Sequence, residues 1–225
     1  MKTGAFISRP LLATLFLAGA LVAAEPSSAG QLEWSPLAPL PDREGFAYPF
    51  SGVHRGALLV AGGANFPDKK PWEGGTKVWY DTVFVLERPR GEWRVAGRLP
   101  RPLGYGVSIS TPEGVLCLGG GDVERHHADA FLLRWEQGAI ATRPFPALPR
   151  PVANFCGALL GSTVYVAGGI SSPDATEALA TFWSIDLSAP RPQWKELPAW
   201  PGPGRMRAVA AVADGAFFLA SGTSL

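Results

Sequence analysis

The chain repeats one short pattern four times, an apolar run that stops at a corner of small residues. The four runs occupy residues 58–63, 115–120, 164–169 and 216–222, and three of them end in a glycine pair. An isolated run of this kind is only a buried strand followed by a turn. Four such runs predict a repeat architecture, in which the residues beside the corners converge on one shared site.

The spacing of the corners identifies the repeat. The residues just before the corner pairs are Ala61, Leu118, Ala167 and Ala220, which are separated by 57, 49 and 53 positions. A second marker, usually tryptophan, comes before each corner and is followed six residues later by Leu-Pro or Trp-Pro. A period near 50 with two markers in step is typical of a kelch-type β-propeller blade of four strands. We therefore expect an all-β chain built from four-stranded antiparallel sheets.

Composition agrees with this fold class. The chain has 27 glycines and 22 prolines, is 47% apolar and is only 17% charged, which favours many short strands joined by tight turns. In the two central blades we expect strands at 104–110, 115–118, 129–134 and 138–142, and at 154–160, 164–167, 181–187 and 193–197.

The two ends of the chain predict an incomplete ring. Residues 32–37 resemble the last strand of a blade, whereas 207–213 and 216–221 resemble the first two strands of another. The third strand that would join them in one closing blade has no counterpart. We therefore expect a piece of a longer propeller with open edges, which a second chain could complete.

The N-terminus has the pattern of an export signal. Lys2 and Arg9 precede an apolar stretch over residues 11–24, and small residues stand before Glu25. The stretch is shorter than the roughly 20 apolar residues of a transmembrane helix. We expect a cleaved signal peptide at 1–24, a partial propeller at 25–225 and a periplasmic or secreted location, with an uncleaved anchor as the alternative.

Charge and cysteine content exclude several classes of partner. Without residues 1–24 the chain has 18 basic and 19 acidic side chains, so nothing indicates binding to nucleic acid or to an anionic membrane. Cys117 and Cys156 have apolar neighbours, which favours buried free thiols over a disulfide. His126 and His127 are adjacent, and adjacent side chains on an extended segment point apart. We interpret their segment as a polar loop and expect no metal site.

Two sets of connections should meet on one face of the propeller. The connections between blades supply arginines at 43, 101, 150, 205 and 207, and guanidinium groups suit a carboxylate or another anionic ligand. The alternative is that these arginines bind backbone carbonyls between blades. Within blades, the longest connection covers residues 64–80, and its tryptophans could stack on a sugar ring or simply anchor the loop.

A family resemblance follows from particular segments. Residues 50–53, 61–64, 77–82 and 103–108 resemble the kelch-type N-acetylneuraminate mutarotases, which are periplasmic six-bladed propellers that interconvert the anomers of sialic acid. The resemblance extends over residues 31–225 with the blades in a changed order, and is similar to the cyclically permuted branch of that family. It implies about four of six blades, a sugar-acid substrate and no cofactor.

The resemblance also implies roles for residues. The family's catalytic glutamate and its substrate-binding arginine would fall beyond Leu225, so this chain alone is expected to be inactive. Leu103 stands where the family has an arginine, with Arg101 displaced by two positions, and Glu44 is the candidate base if one comes from this chain. The candidate substrate-binding residues are Arg43, Glu44, Asn65, Trp79, Arg101, Tyr105, Asn154 and Arg205. The alternative function is a noncatalytic kelch module that binds a glycan or a protein.

Overall fold

The computed structural model describes residues 33–225, and the expected signal peptide lies outside this range. The described chain forms three complete four-stranded antiparallel sheets, which are the blades, and a final two-stranded sheet. Blade 1 contains β1 (Phe50–His54), β2 (Ala57–Ala61), β5 (Thr82–Leu86) and β6 (Arg94–Arg98). Blade 2 contains β7 (Val107–Thr111), β8 (Gly114–Leu118), β9 (Ala130–Glu136) and β10 (Ala139–Phe145).

The remaining strands follow the same order. Blade 3 contains β11 (Cys156–Leu160), β12 (Thr163–Ala167), β13 (Phe182–Asp186) and β14 (Lys195–Glu196). The final sheet pairs β15 (Val209–Ala213) with β16 (Ala216–Ala220). Within residues 33–225 the architecture is an incomplete kelch-type β-propeller in which no sheet is closed, and the kelch-type blades are those that the repeat predicted.

Two details differ from the sequence expectation. Residues 33–37, the described part of the expected first strand, are not in a strand. The long connection in blade 1 is not a plain loop, because β3 (Ala64–Asn65) and β4 (Val78–Trp79) pair as a short ribbon around a 3₁₀ turn at Pro71–Glu73. This ribbon returns the connection to the end of the blade.

Apolar side chains fill the spaces between neighbouring blades. All five residues of β8 are buried, because blades 1 and 3 cover both faces of blade 2. The expected free cysteines are confirmed: Cys117 and Cys156 are unpaired and buried, and burial raises the pKa of the Cys156 thiol to about 11. In contrast, β15 and β16 leave Val209 and Phe218 more than half exposed.

The glycine corners join each blade to the next. Gly63 donates its N–H to the carbonyl of Leu103, and Gly120 donates to Val152, at 2.8 and 2.9 Å. The same bond recurs from Gly169 to Arg205 at 2.9 Å. All six glycines of these three corners have positive φ, which glycine adopts at little cost. We call these three repeated contacts the corner bonds.

No helix in residues 33–225 is long and apolar enough to cross a membrane.

Candidate functional site

Four residues occupy one repeated position at the start of the blades. Tyr48, Tyr105, Asn154 and Arg207 each lie two residues before the first strand of a sheet and share the same 57, 49 and 53 spacing as the corners. All four have positive φ, between 50° and 63°, although none is glycine. A left-handed backbone that recurs at four non-glycine residues indicates a position that the fold determines. We call these four the hub positions.

Backbone hydrogen bonds connect the hub positions in series. Tyr105 donates its N–H to the carbonyl of Tyr48 at 3.0 Å, and Asn154 donates to Tyr105 at 2.8 Å. Arg207 completes the series by donating to Asn154 at 2.8 Å. The rings of Tyr48 and Tyr105 stack with centroids 4.8 Å apart. The series therefore brings the first residues of successive blades together.

A cavity of about 370 Å³ lies beside three of the hub positions. Its lining combines cationic, aromatic and hydrogen-bonding groups from the connections between and within blades. The polar and aromatic members are Lys77, Trp79, Tyr105, Asp122, His126, Asn154 and Arg207. A second cavity of about 280 Å³ shares Lys77 and Tyr105 with the first and is also lined by Glu44, Asn65 and Lys70. We call the first of these the hub cavity.

The hub cavity contains two cationic side chains, Lys77 and Arg207. The Lys77 ammonium lies 4.6 Å from the ring centroid of Trp79 and 4.1 Å from that of Tyr105, distances at which cations are attracted to aromatic faces. Within residues 33–225, neither Lys77 nor Arg207 forms an ion pair. Two cations without acidic partners in one concave site favour an anionic ligand.

Asp122, which provides the acidic side chain among the described lining residues, already has hydrogen-bond partners. Its Oδ1 accepts the N–H groups of Glu124 and Arg125 at 2.8 and 2.9 Å, and its Oδ2 accepts from His127 Nε2 at 2.6 Å. Burial alone would raise the pKa of Asp122, but these hydrogen bonds outweigh it and lower the pKa to about 2. Asp122 is therefore ionised and a weak base.

The loop that carries Asp122 is tied to the neighbouring connection. His127 is 5% exposed, and its Nδ1 lies 2.8 Å from Arg101 Nη1. Because arginine can only donate, Nδ1 accepts and Nε2 carries the hydrogen that Asp122 accepts. Arg101 also pairs with Asp129 at 3.1 Å. These hydrogen bonds and ion pairs hold Asp122 and His127 in place, and they therefore fix the position of His126, which lies between them in the sequence.

His126 lines the hub cavity with a defined tautomer. Its Nδ1 lies 3.0 Å from the carbonyl of Ile170, and because a carbonyl only accepts, Nδ1 carries the hydrogen and Nε2 has the lone pair. Burial lowers the pKa of His126, so the ring is neutral near pH 7. The ring packs on Gly121. A Cβ added to Gly121 would lie 2.6 Å from the Cδ2 atom of His126.

Two lining residues have buried polar atoms without partners. Trp79 Nε1 and Asn154 Oδ1 are both inaccessible and make no hydrogen bond within the described chain. Most buried polar atoms in proteins are satisfied, so such atoms beside a cavity indicate a site for a ligand or an ordered water. The hub cavity therefore offers an unused donor and an unused acceptor in addition to its charges.

The residues proposed from the sequence divide into three groups in the structure. Trp79, Tyr105 and Asn154 line the hub cavity, whereas Glu44 and Asn65 line the smaller adjoining cavity. Those outside both cavities are Arg43, Arg101 and Arg205.

The side chains outside the hub cavity have partners within the chain. The carboxylate of Glu44 pairs with Lys70 and Arg43, and the Lys70 hydrogen bond is the main cause that lowers the pKa of Glu44. Asn65 donates to Asp42 and to the carbonyl of Gly45. Arg205 donates to the carbonyl of Ser221 at 3.0 Å, which matches the carbonyl-binding alternative for the arginines.

Several lining residues were not selected from the sequence. The sequence does not single out Lys77, indicates Arg207 only as one of the connection residues, and places His126 in a polar loop. It also does not select Tyr48, the hub position that lies outside both cavities. The sequence does contain a signal for the hub positions. The steps of 57, 49 and 53 residues that separate the corners also connect Tyr105 to the other three hub positions. No equivalent signal locates Lys77, whose position depends on the ribbon formed by β3 and β4.

Comparison with known proteins identifies the family of this chain. The family model described as N-acetylneuraminate epimerase matches residues 17–141, more than half of the chain. The chain belongs to the N-acetylneuraminate epimerase family. The matched region contains blade 1 and most of blade 2, including Lys77, Trp79, Tyr105 and His126 of the hub cavity.

Individual members of the N-acetylneuraminate epimerase family show how much is shared. The N-acetylneuraminate epimerase of Yersinia pestis (strain Pestoides F) is 42% identical over 106 residues, which cover 40% of this chain and 26% of that protein. The one from Brucella suis is 34% identical over 128 residues, covering 50% of this chain and 32% of that protein. The chain thus spans about a quarter to a third of the length of these curated relatives.

A solved structure supports the fold. The structure of YjhT superposes with a TM-score of 0.73 at 13% sequence identity, covering 87% of this chain and 64% of that chain. At this identity the likeness concerns the arrangement of the blades alone.

Proposed function

We propose that this protein acts as a sialic acid mutarotase, which accelerates the interconversion of the two anomers of a free sugar acid. Membership of the N-acetylneuraminate epimerase family supports this proposal. The observation that carries it is the hub cavity, where Lys77 and Arg207 form no ion pair within residues 33–225 and where Lys77 lies against two aromatic rings.

Each kind of group in the hub cavity suits one part of a sialic acid. The carboxylate would bind Lys77 and Arg207, since charge-assisted hydrogen bonds are the strongest available to it. The apolar face of the sugar ring would pack on Trp79 or Tyr105. After a local movement that exposes them, the unused acceptor of Asn154 and the unused donor of Trp79 would bind hydroxyl or acetamido groups.

The reaction needs proton transfer and positioning. The anomeric hydroxyl loses a proton, the bond from the anomeric carbon to the ring oxygen breaks, and the ring oxygen gains a proton. The open-chain ketone then closes on its other face. A single positioned acid–base group is sufficient, and the ion pair with the carboxylate would keep the open form in place.

Nuclear magnetic resonance of a freshly released single anomer tests the proposal. The expected result is that the protein with a complete propeller brings the anomers to equilibrium faster than buffer alone, in proportion to its concentration, whereas residues 25–225 alone are expected to be inactive. A protein that binds sialic acid but leaves the buffer rate unchanged would contradict the mutarotase proposal.

One observation favours a second candidate, a propeller that binds a glycan without catalysis. Glu44, the carboxylate that the sequence offered as a base, is held in ion pairs and has a lowered pKa, so it is a weak proton acceptor. The same measurement separates the two candidates. Saturable broadening of the sugar signals without faster equilibration indicates the binding module.

We also propose that the protein is exported and cleaved before Glu25. Lys2 and Arg9 ahead of the apolar stretch support this proposal. The N-terminal residue of the protein recovered from a bacterial periplasm tests it. Recovery of the uncleaved chain in the cytoplasm would contradict it.

A further inference from the structure

We propose that a cavity between blades 1 and 2, beside Thr142, binds a small neutral aromatic molecule of the size of indole. The cavity lies where the connection that leaves blade 1 meets β9 and β10 of blade 2. It shares no described lining residue with the hub cavity, so the proposal goes beyond the mutarotase function and does not depend on it. We call it the marker cavity.

Thr142 interrupts one of the markers of the repeat. Three repeats have a tryptophan at this position, Trp34, Trp93 and Trp194, and each tryptophan stands six residues before Leu-Pro or Trp-Pro. Thr142 occupies the same place in the remaining repeat, six residues before a Leu-Pro pair. Blade 2 therefore lacks an indole group that the other repeats have.

The tryptophans at this position connect each blade to the preceding part of the chain. Trp93 donates its Nε1 hydrogen to the carbonyl of Ala38 at 2.7 Å, and Trp194 donates to the carbonyl of Pro146 at 3.0 Å. In both cases the acceptor stands four residues after the marker position of the preceding repeat. Trp194 also packs against the apolar side chains between blades 2 and 3. Indole is therefore the group that the repeat places between neighbouring blades.

Strand pairing shows that Thr142 and Trp194 are equivalent. A step of 52 residues leads from Thr142 to Trp194. The same step converts the pair formed by Phe131 and Pro144 in blade 2 into a pair between β13 and β14 of blade 3. Thr142 is exposed, whereas Trp194 is half-buried. The smaller side chain therefore leaves open a region that an indole group covers in the next blade.

The marker cavity has the volume and the lining for an aromatic ring. Its volume is about 280 Å³, and an apolar cavity of about 150 Å³ is sufficient to hold benzene. Its floor is buried, since Leu103, Ala130 and Phe131 are only 1%, 6% and 5% exposed. The other lining residues are Pro100, Arg101, Asp129, Thr142 and Pro144. A bicyclic ring therefore fits, with one face against apolar side chains.

The charged residues of the marker cavity favour a ligand that is neutral and aromatic. Arg101 forms an ion pair with Asp129 at 3.1 Å and a hydrogen bond with His127 at 2.8 Å, so its charge is already balanced. A guanidinium group is also attracted to the face of an aromatic ring. The equivalent arginine of the next blade, Arg150, makes this contact, since its guanidinium lies 5.6 Å from the centroid of the Trp183 ring. An anion would compete with Asp129, whereas a neutral ring would add a contact to Arg101.

Nuclear magnetic resonance of the full chain with indole as the probe tests the proposal without any variant. We expect a dissociation constant of about 1 mM or below. We also expect nuclear Overhauser contacts from indole to the side chains of Leu103 and Phe131, which form the floor of the marker cavity. Absence of binding at about 5 mM indole, or contacts confined to other surfaces, would contradict the proposal.

The substitution Thr142→Trp restores the missing indole as a side chain. It should weaken the binding of free indole at least 10-fold, because the new ring fills the cavity, and raise the midpoint of thermal unfolding by about 2–4 °C. The matched control is Thr142→Ser, which leaves the cavity open and should bind indole within about twofold of the unsubstituted protein. Undiminished indole binding by Thr142→Trp would show that indole binds elsewhere. A lowered midpoint or loss of folding in this variant would show that the cavity does not accept the ring, and either result would overturn the proposal.

Discussion

The corner bonds and the hub positions recur with the same spacing but differ in what each repeat preserves. At the corner bonds, a glycine N–H meets a backbone carbonyl of the next blade, and the second residue of each pair is always glycine. At the hub positions the backbone is equally constant, but the side chains are two tyrosines, an asparagine and an arginine. The comparison shows that the repeat holds the blades together through its backbone and leaves its hub side chains free for binding.

The largest expected effect is at a corner. In Gly62→Ala the new Cβ would overlap the carbonyl oxygen of Leu103 at a residue with φ of 66°. Left-handed strain and overpacking together should lower the free energy of unfolding by roughly 2–5 kcal/mol, measured by denaturant titration. The matched control is Gly161→Ala, where φ is 60° but no atom lies within 4 Å, and strain alone should cost about 1–2 kcal/mol. Equal losses would show that the corners need only a left-handed residue.

The next effect concerns binding at a hub position. Arg207→Ala keeps a Cβ at the left-handed residue, so the free energy of unfolding should hardly change. Sialic acid should bind about 10- to 100-fold more weakly, because a charge-assisted hydrogen bond to the carboxylate is lost. Calorimetric titration measures this, with Arg191→Ala as an exposed control of the same charge change. Unchanged affinity in Arg207→Ala would remove the hub position from the proposed site.

The pH dependence of the free energy of unfolding distinguishes the side-chain hydrogen bonds of Asp122 from the backbone hydrogen bonds at the corners. The pKa of Asp122 is about 2 in the folded chain and higher when unfolded, so its contribution to stability is full above about pH 4 and is lost as the pH falls towards 2. The expected contribution is roughly 2 kcal/mol. Asp122→Asn should lack this part of the pH dependence in urea unfolding, whereas the glycine corners contain no titrating side chain. An identical pH dependence in the variant would contradict the assigned pKa.

The smallest effect separates backbone from side chain at one residue. Asn154→Ala should lower the free energy of unfolding by about 1 kcal/mol, since alanine tolerates a φ of 57° less well than asparagine. Asn154→Gly should fold with a stability within about 0.5 kcal/mol of the original but bind sialic acid more weakly. Thermal unfolding and calorimetry on both variants check this. Normal affinity in the glycine variant would show that the Asn154 amide does not contact the ligand.

The sequence was sufficient for features that depend on local signals. Glycine pairs after apolar runs predicted the blades and their order. Positive φ selects glycine, and a strand that is buried on both faces selects apolar residues, so both leave a clear pattern in the sequence. The last strand of blade 3 was less accurate: five residues were expected at 193–197, and only Lys195–Glu196 form the strand. It lies at the outer edge of its sheet and next to Pro198, where little packing determines its length.

The site was predictable only where it follows the repeat. Tyr105 and Asn154 follow from the sequence because they lie in the connections between blades, which the repeat spacing locates. Arg101 was expected to face a ligand, but its partners His127 and Asp129 come from another connection, and no local pattern reveals that pairing. His126 was set aside because neighbouring histidines suggested solvent, whereas the packing of the ring on Gly121 exists only in three dimensions.

The position of Lys77 between two aromatic rings affects how quickly an anion could be captured. An exposed lysine samples many rotamers, and fixing it costs up to about 2 kcal/mol of conformational entropy. Here the contacts with Trp79 and Tyr105 restrict the chain during folding, so that loss precedes the arrival of any ligand. The incoming carboxylate meets a preorganised cation, and its rate of association should be set by diffusion and by ionic strength.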